Sequence, residues 1–84
     1  MSIRDVLNEE YKGVMLLEPA KFDAAIVGVT ERCGEQPTVC YDLKKILEVL
    51  IADGMEYEEA LEYYEYNIVG AYMGEQTPTF LNTL

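Results

Sequence analysis

Apolar residues three and four positions apart recur in three stretches of this chain, and this spacing predicts amphipathic helices. The three stretches are residues 2–10, 43–52 and 57–73. Ser2 and Asp42 stand just before the first two and are good N-caps, with Asp5 completing a capping box after Ser2. The predicted apolar face of the second helix consists of Leu43, Ile46, Leu47, Leu50 and Ile51. Asp53-Gly54 then predicts a left-handed turn, so that the second and third helices form an αα-hairpin.

Strands are predicted where β-branched side chains replace the helical spacing. Residues 25–30 and 38–41 are such stretches, and the turn residues between them predict a β-hairpin. Residues 77–81 begin with Thr-Pro and predict an edge strand, because proline cannot donate to a sheet ladder. The apolar run at 14–17 is too short to distinguish a strand from a continuation of the first helix. We therefore expect an α+β fold: a β-hairpin or three-stranded antiparallel sheet packed on the αα-hairpin, with a short N-terminal helix.

The two cysteines fall at the predicted hairpin. A turn centred on residues 34–37 places Cys33 opposite Thr38 and Cys40 opposite Glu31. The two thiols are then diagonal neighbours, a poor geometry for a disulfide. Both cysteines are predicted to be small hydrophobic residues in or near the core, and a redox switch is the less favoured alternative.

The third predicted helix has apolar residues on two sides. The first side should face the core and consists of Tyr57, Ala60, Leu61, Tyr64, Ile68 and Ala71. The second side is rotated away from it and consists of Tyr63, Tyr66, Val69 and Met73. Between the two lie Glu58, Glu62 and Glu65. A helix that is apolar on two sides has two neighbours, here the other helix and the sheet, or the sheet and a second subunit.

Charge is distributed unevenly along the chain. The net charge is −10, yet residues 46–84 contain eight acids and neither lysine nor arginine. Such a single-sign surface repels nucleic acid and attracts basic surfaces. The alternative is that these acids only keep a tyrosine-rich helix soluble.

Composition gives little support for catalysis. The chain has no histidine and no metal-binding motif, so we expect a protein that is not an enzyme and has no cofactor or metal. A helix-turn-helix DNA reader is disfavoured because the second helix of the hairpin is acidic. The N-terminus lacks the pattern of a signal peptide and the apolar runs are shorter than a membrane span, which predicts a cytoplasmic protein.

The C-terminal half contains a series of short motifs, among them Asp53-Gly54-Met55, Tyr57-Glu58-Glu59-Ala60, Glu65-Tyr66-Asn67, Gly70-Ala71-Tyr72, Gly74-Glu75 and Thr77-Pro78. With these motifs the chain resembles a family of small bacteriophage and prophage proteins, and the likeness spans about residues 15–82. The family carries no established activity. The resemblance implies that residues 1–14 are an N-terminal helical extension and that residues 15–84 form a single α+β domain.

Acidic phage accessory proteins of this size without catalytic residues are frequently inhibitors of host defence systems, anti-CRISPR proteins among them. By this analogy we expect a non-enzymatic protein in the host cytoplasm whose acidic helix face binds a basic surface of a host protein, without binding nucleic acid or membrane. The predicted partner-binding residues are Glu58, Glu62 and Glu65 as phosphate-like charges and Tyr63 and Tyr66 as anchors. The alternative is a homo-oligomeric structural or small-ligand-binding module in which the tyrosine stripe packs against its twin.

Overall fold

The first helix begins as its capping box predicts. The computed structural model describes residues 2–11, 13–18, 20–70 and 76–83, and its first element is α1 (Ile3–Glu10). The Ser2 hydroxyl accepts a hydrogen bond from the Asp5 N–H at 3.2 Å, while the Ser2 N–H donates to the Asp5 carboxylate at 3.3 Å. The two N–H groups, of Ser2 and Asp5, would otherwise lack hydrogen-bond partners at the helix start. Beyond α1 the chain turns at Gly13, whose φ of 88° suits glycine.

Arg4 fastens α1 to the rest of the protein. Its guanidinium donates to the two carboxylate oxygens of Asp23 at 2.9 and 2.8 Å, to Glu18 at 2.9 Å and to the Leu17 carbonyl at 2.9 Å. Hydrogen bonding to Asp23 raises the pKa of Arg4 above its ordinary value, against the opposing effect of desolvation. Leu7 of the same helix is buried in the common core. The segment predicted to be an extension therefore contributes to that core.

Within the described ranges, the sheet contains three strands in the order β1 (Ile26–Thr30), β2 (Thr38–Asp42) and β3 (Thr79–Leu81). The antiparallel β1–β2 hairpin is confirmed, as is the edge position of β3. The prediction of an entirely antiparallel sheet is wrong, because β3 runs parallel to β2. The intervening helical connection is long enough to return the chain to the beginning of β2. There the Gln76 side-chain amide donates to the Pro37 carbonyl at 3.3 Å, which joins the segments leading into both strands.

The hairpin register differs from the predicted one. Gly28 lies opposite Cys40, so the predicted pairings of Cys40 with Glu31 and of Cys33 with Thr38 are wrong. The cause is a loop between the strands that is longer than the predicted turn. Register is set by the length and geometry of such a connection, so an error in the loop moves every pair of the ladder.

The loop contains a hydrogen-bonded turn from Arg32 to Glu35. The Glu35 N–H donates to the Arg32 carbonyl at 2.9 Å, and Gly34, the third residue of the turn, has a φ of 82° that favours glycine. As a result Cys33 is exposed, which contradicts its predicted place in or near the core. Cys40 is buried as predicted, and both thiols are free.

Asp42 caps the second helix, α2 (Leu43–Ala52), as predicted. One oxygen of its carboxylate accepts hydrogen bonds from the N–H groups of Lys44 at 2.8 Å and Lys45 at 3.3 Å. The buried positions of this helix are Ile46, Leu47 and Leu50. Ile51 was predicted to share this apolar face but is 42 % exposed. It lies about 100° around the helix from Leu50 and falls beyond the edge of the core.

The end of α2 also follows the prediction. Gly54 has a φ of 107° and donates from its N–H to the Ile51 carbonyl at 2.9 Å. The Met55 N–H reaches back to the Leu50 carbonyl at 3.3 Å. These two bonds form a Schellman motif, which satisfies carbonyls that a helix end would otherwise leave open.

The third helix changes its winding part-way. It starts as α3 (Tyr57–Tyr63) and continues as a π-helical segment (Tyr64–Val69). The Gly70 N–H closes that segment by donating to the Glu65 carbonyl, five residues earlier, at 3.2 Å. The last part of the predicted helix, with Ala71 and Met73, lies outside the described residues.

The core side of this helix is confirmed for its central residues. Ala60, Tyr64 and Ile68 are buried, and Leu61 is half-buried. Tyr57 was predicted to be part of the same stripe but is 59 % exposed. It is the first residue of α3, and a helical side chain tilts toward the N-terminus, so Tyr57 points back beyond the start of the helix.

One core joins all of these elements. Its buried residues are Leu7, Phe22, Ala25, Val39, Tyr41, Ile46, Leu47, Leu50, Ala60, Tyr64 and Ile68, of which Phe22 and Ala25 come from a 3₁₀ helix (Ala20–Ala25). The fully buried Tyr41 accepts a hydrogen bond at its hydroxyl from the Leu17 N–H at 2.8 Å. The run at 14–17 is neither a strand nor a continuation of the first helix, and this bond holds its last residue against the core. The fold class is α+β, as predicted.

Candidate functional site

The outward side of α3 and the π-helical segment carries the predicted partner-binding residues. Tyr63 is 39 % exposed and Tyr66 is 76 % exposed. The glutamates are also exposed, at positions 58, 62 and 65. We call these five residues the acidic helix face.

The inward residues of the same segment explain this orientation. Tyr64 and Ile68 are buried, and the Tyr64 ring meets the Phe80 ring edge-on with centroids 5.4 Å apart. Burial, and secondarily the charge of Glu65, raises the pKa of the Tyr64 hydroxyl above its ordinary value. With these two residues fixed in the core, helical geometry directs Tyr66 toward solvent.

A cleft of about 550 Å³ lies on this outward surface. Its lining residues are Met55, Glu59, Glu62, Tyr63, Tyr66 and Asn67, and we call it the tyrosine cleft. It brings together three of the five predicted residues, whereas Glu58 and Glu65 are not among those that line it.

Three lining residues were not predicted as site residues: Met55, Glu59 and Asn67. A signal for them exists in the sequence. The other lining residues lie 4, 7, 8, 11 and 12 positions after Met55, which is the spacing of one helical stripe.

The tyrosine cleft is anionic. One oxygen of the Glu59 carboxylate accepts a hydrogen bond from the Glu56 N–H at 3.2 Å. Glu62 takes part in no hydrogen bond or ion pair among the described residues. The ion pairs among the described residues lie away from the cleft, and they join Arg4 to Glu18 and Asp23, and Lys21 to Asp53. Because residues 46–84 contain no lysine or arginine, these elements supply no cation to balance the cleft.

Comparison with known proteins gives no family for this chain. No protein-family model, curated protein or solved structure matches it. The resemblance to phage proteins therefore stays a prediction.

Within the described ranges, no group of three or more cysteines and carboxylates is placed to hold a metal ion. No helix in those ranges is long and apolar enough to cross a bilayer.

The surface of the described residues has other clefts besides the tyrosine cleft, and two of them differ from it in their lining. One, of about 530 Å³, lies beside the sheet, where the hydroxyls of Thr30 and Thr38 are 2.7 Å apart and Cys40 is also among the lining residues. Glu31 and Arg32 also line it, so its charges are of mixed sign. The other, of about 320 Å³, is mainly apolar and lies between residues 15–18, the π-helical segment and residues 77–80. Neither contains a residue of the acidic helix face.

Proposed function

We propose that this chain is a non-enzymatic binding protein that docks its acidic helix face on a basic surface of a partner protein. The observation that carries the proposal is the tyrosine cleft, in which two exposed phenol rings stand beside the carboxylate of Glu62, which has no hydrogen-bond or ion-pair partner among the described residues. Tyrosine is enriched at protein interfaces because its ring supplies apolar area and its hydroxyl supplies a polar contact.

Electrostatics supports a basic partner over a second copy of the chain. Two copies meeting through this face would bring together two surfaces from a half of the chain that has eight acids and no base. Like charges facing each other across an interface cost free energy, whereas a lysine- or arginine-rich surface is attracted at long range. The same charge opposes binding to a phosphate backbone.

The biological partner follows from the resemblance to phage proteins. In a host-defence setting, effectors such as CRISPR nucleases hold nucleic acid in positively charged channels. Under the proposal, the glutamates of the acidic helix face stand in for phosphates on such a surface. The chain would then act as an inhibitor that competes with nucleic acid for the basic surface.

The test uses the chain as bait in a host lysate with two charge-matched variants. The first carries Glu58→Lys, Glu62→Lys and Glu65→Lys, which reverses the acidic helix face. The second carries Glu9→Lys, Glu10→Lys and Glu35→Lys, three acids that are also exposed but lie elsewhere. Both variants have the same net charge, so only the position of the change differs.

We expect the wild type and the second variant to retain the same partner and the first variant to lose it. Circular dichroism and thermal melting must show that both variants remain folded. Equal capture by all three proteins contradicts the proposed interface. Equal loss from both variants shows that total charge, rather than this face, determines binding, and contradicts it as well.

A further inference from the structure

The chemistry of the tyrosine cleft indicates which chemical group of the partner it binds. Its lining offers two phenol rings, two carboxylates, a carboxamide and a thioether. Aromatic faces attract cations through the ring quadrupole, and carboxylates form the strongest hydrogen bonds with cationic donors. Both kinds of group therefore select the same ligand, a positively charged one.

The charges around the cleft point the same way. Among the described residues, the Glu62 carboxylate has no hydrogen-bond or ion-pair partner, and the Glu59 carboxylate accepts one hydrogen bond, from the Glu56 N–H. A cation entering the cleft gains hydrogen bonds that the folded chain leaves open. An anion would be repelled, and a neutral apolar group would shield these carboxylates from water without replacing the hydrogen bonds.

A planar cation fits this arrangement better than a spherical one. A guanidinium group can stack on a phenol ring and still direct its edge N–H groups at a carboxylate and at an amide oxygen. An ammonium group is a compact, strongly hydrated charge that cannot stack. We propose that the tyrosine cleft binds an arginine side chain of the partner protein, with its guanidinium against Tyr63 and Tyr66 and hydrogen-bonded to Glu62. This inference rests on the proposed function and specifies the group that is recognised.

Small probes test the cleft without the partner. N-acetylarginine amide is titrated into the full chain at low ionic strength while the ring resonances of the tyrosines are followed by NMR. N-acetylcitrulline amide is the neutral, nearly isosteric control, and N-acetyllysine amide is the charged control without a planar group. We expect saturable shifts of the Tyr63 and Tyr66 rings with the arginine probe, binding at least about threefold weaker with the lysine probe, and none with citrulline.

Variants locate the binding. Glu62→Gln keeps the shape of the side chain and should weaken the arginine probe about fivefold or more, on the scale of a lost charge-assisted hydrogen bond. Tyr66→Leu should weaken it as well. Glu48→Gln, at an exposed position on α2, removes the same charge elsewhere and should leave the affinity unchanged.

Three results would overturn the inference: equal shifts with citrulline, equal affinity for lysine and arginine, or unchanged affinity in Glu62→Gln. This failure is distinct from failure of the proposed function. If the face-reversed variant loses its partner but the arginine probe does not bind, the interface stands and arginine recognition is wrong. If the probe binds but the face-reversed variant captures the partner normally, the cleft stands and the proposed interface is wrong.

Discussion

Removing the Arg4 guanidinium should be one of the most destabilising single changes at the surface of this protein. Arg4→Met keeps most of the apolar stem and deletes four hydrogen bonds, two to Asp23 and one each to Glu18 and the Leu17 carbonyl. The Asp23 side chain is only 17 % exposed. Water would therefore replace the lost guanidinium poorly, and the Asp23 carboxylate would be left without a cationic partner.

The magnitude follows from these exposures. The Glu18 side chain is 74 % exposed, so its ion pair with Arg4 contributes at most about 0.5 kcal/mol. The half-buried pair with Asp23 and the carbonyl bond contribute more, and together we expect a loss of about 2–3 kcal/mol in the free energy of unfolding. For a domain of this size that lowers Tm by roughly 10–20 °C.

Urea unfolding and thermal melting followed by circular dichroism measure this loss. Glu18→Gln is the control and should change the free energy of unfolding by no more than about 0.5 kcal/mol. A double-mutant cycle with Asp23→Asn isolates the Arg4–Asp23 coupling. If Arg4→Met is no more harmful than Glu18→Gln, the guanidinium does not fasten α1 to the core, and the N-terminal helix is a peripheral appendage.

Two further predictions concern pH and assembly. Tyr41 is buried, which raises the pKa of its hydroxyl above the ordinary value of 10.0, so the unfolded chain releases its proton first and stability should fall as pH rises above about 10. Urea midpoints between pH 8 and 11 measure this fall, which should be smaller in Tyr41→Phe; an equal fall in that variant would assign it to other groups. Light scattering at high micromolar concentration should give a monomer, because the acidic helix face repels its copy. A dimer that dissociates on the substitution Tyr66→Lys would instead support the homo-oligomeric alternative.

The local features of this fold were predictable because their causes lie within a few residues. The caps at Ser2 and Asp42 and the turn at Gly54 depend on side chains and backbone groups at most five positions apart. The alternation of apolar and polar residues likewise places the strands and helices. These elements therefore agree with the sequence to within a few residues.

The errors arose where distant parts of the chain decide the outcome. The parallel direction of β3 depends on where the helices return the chain, and the pairing of Cys40 with Gly28 depends on the loop length. Whether Ile51 is covered depends on how far the core extends around α2. None of these quantities is present in a local pattern of residues.

The candidate site shows the same division. Helical spacing was sufficient to predict that Tyr63 and Tyr66 are on a different side of the helix from Tyr64. The change from α3 to π-helical winding was not predicted, since no residue type specifies it. The spacing that links Met55 to Asn67 is present in the sequence, but whether these residues enclose a cleft depends on how their side chains pack in the folded chain.

Hydrogen–deuterium exchange of the chain, alone and bound to the partner captured from lysate, tests the proposed interface most directly. Exchange reports protection of backbone N–H groups segment by segment. The proposed interface predicts slower exchange in the complex across α3 and the π-helical segment, with little change in the loop at residues 31–37. Unchanged exchange across residues 57–69, together with protection at the sheet or its loop, would contradict the assignment of the acidic helix face as the binding surface.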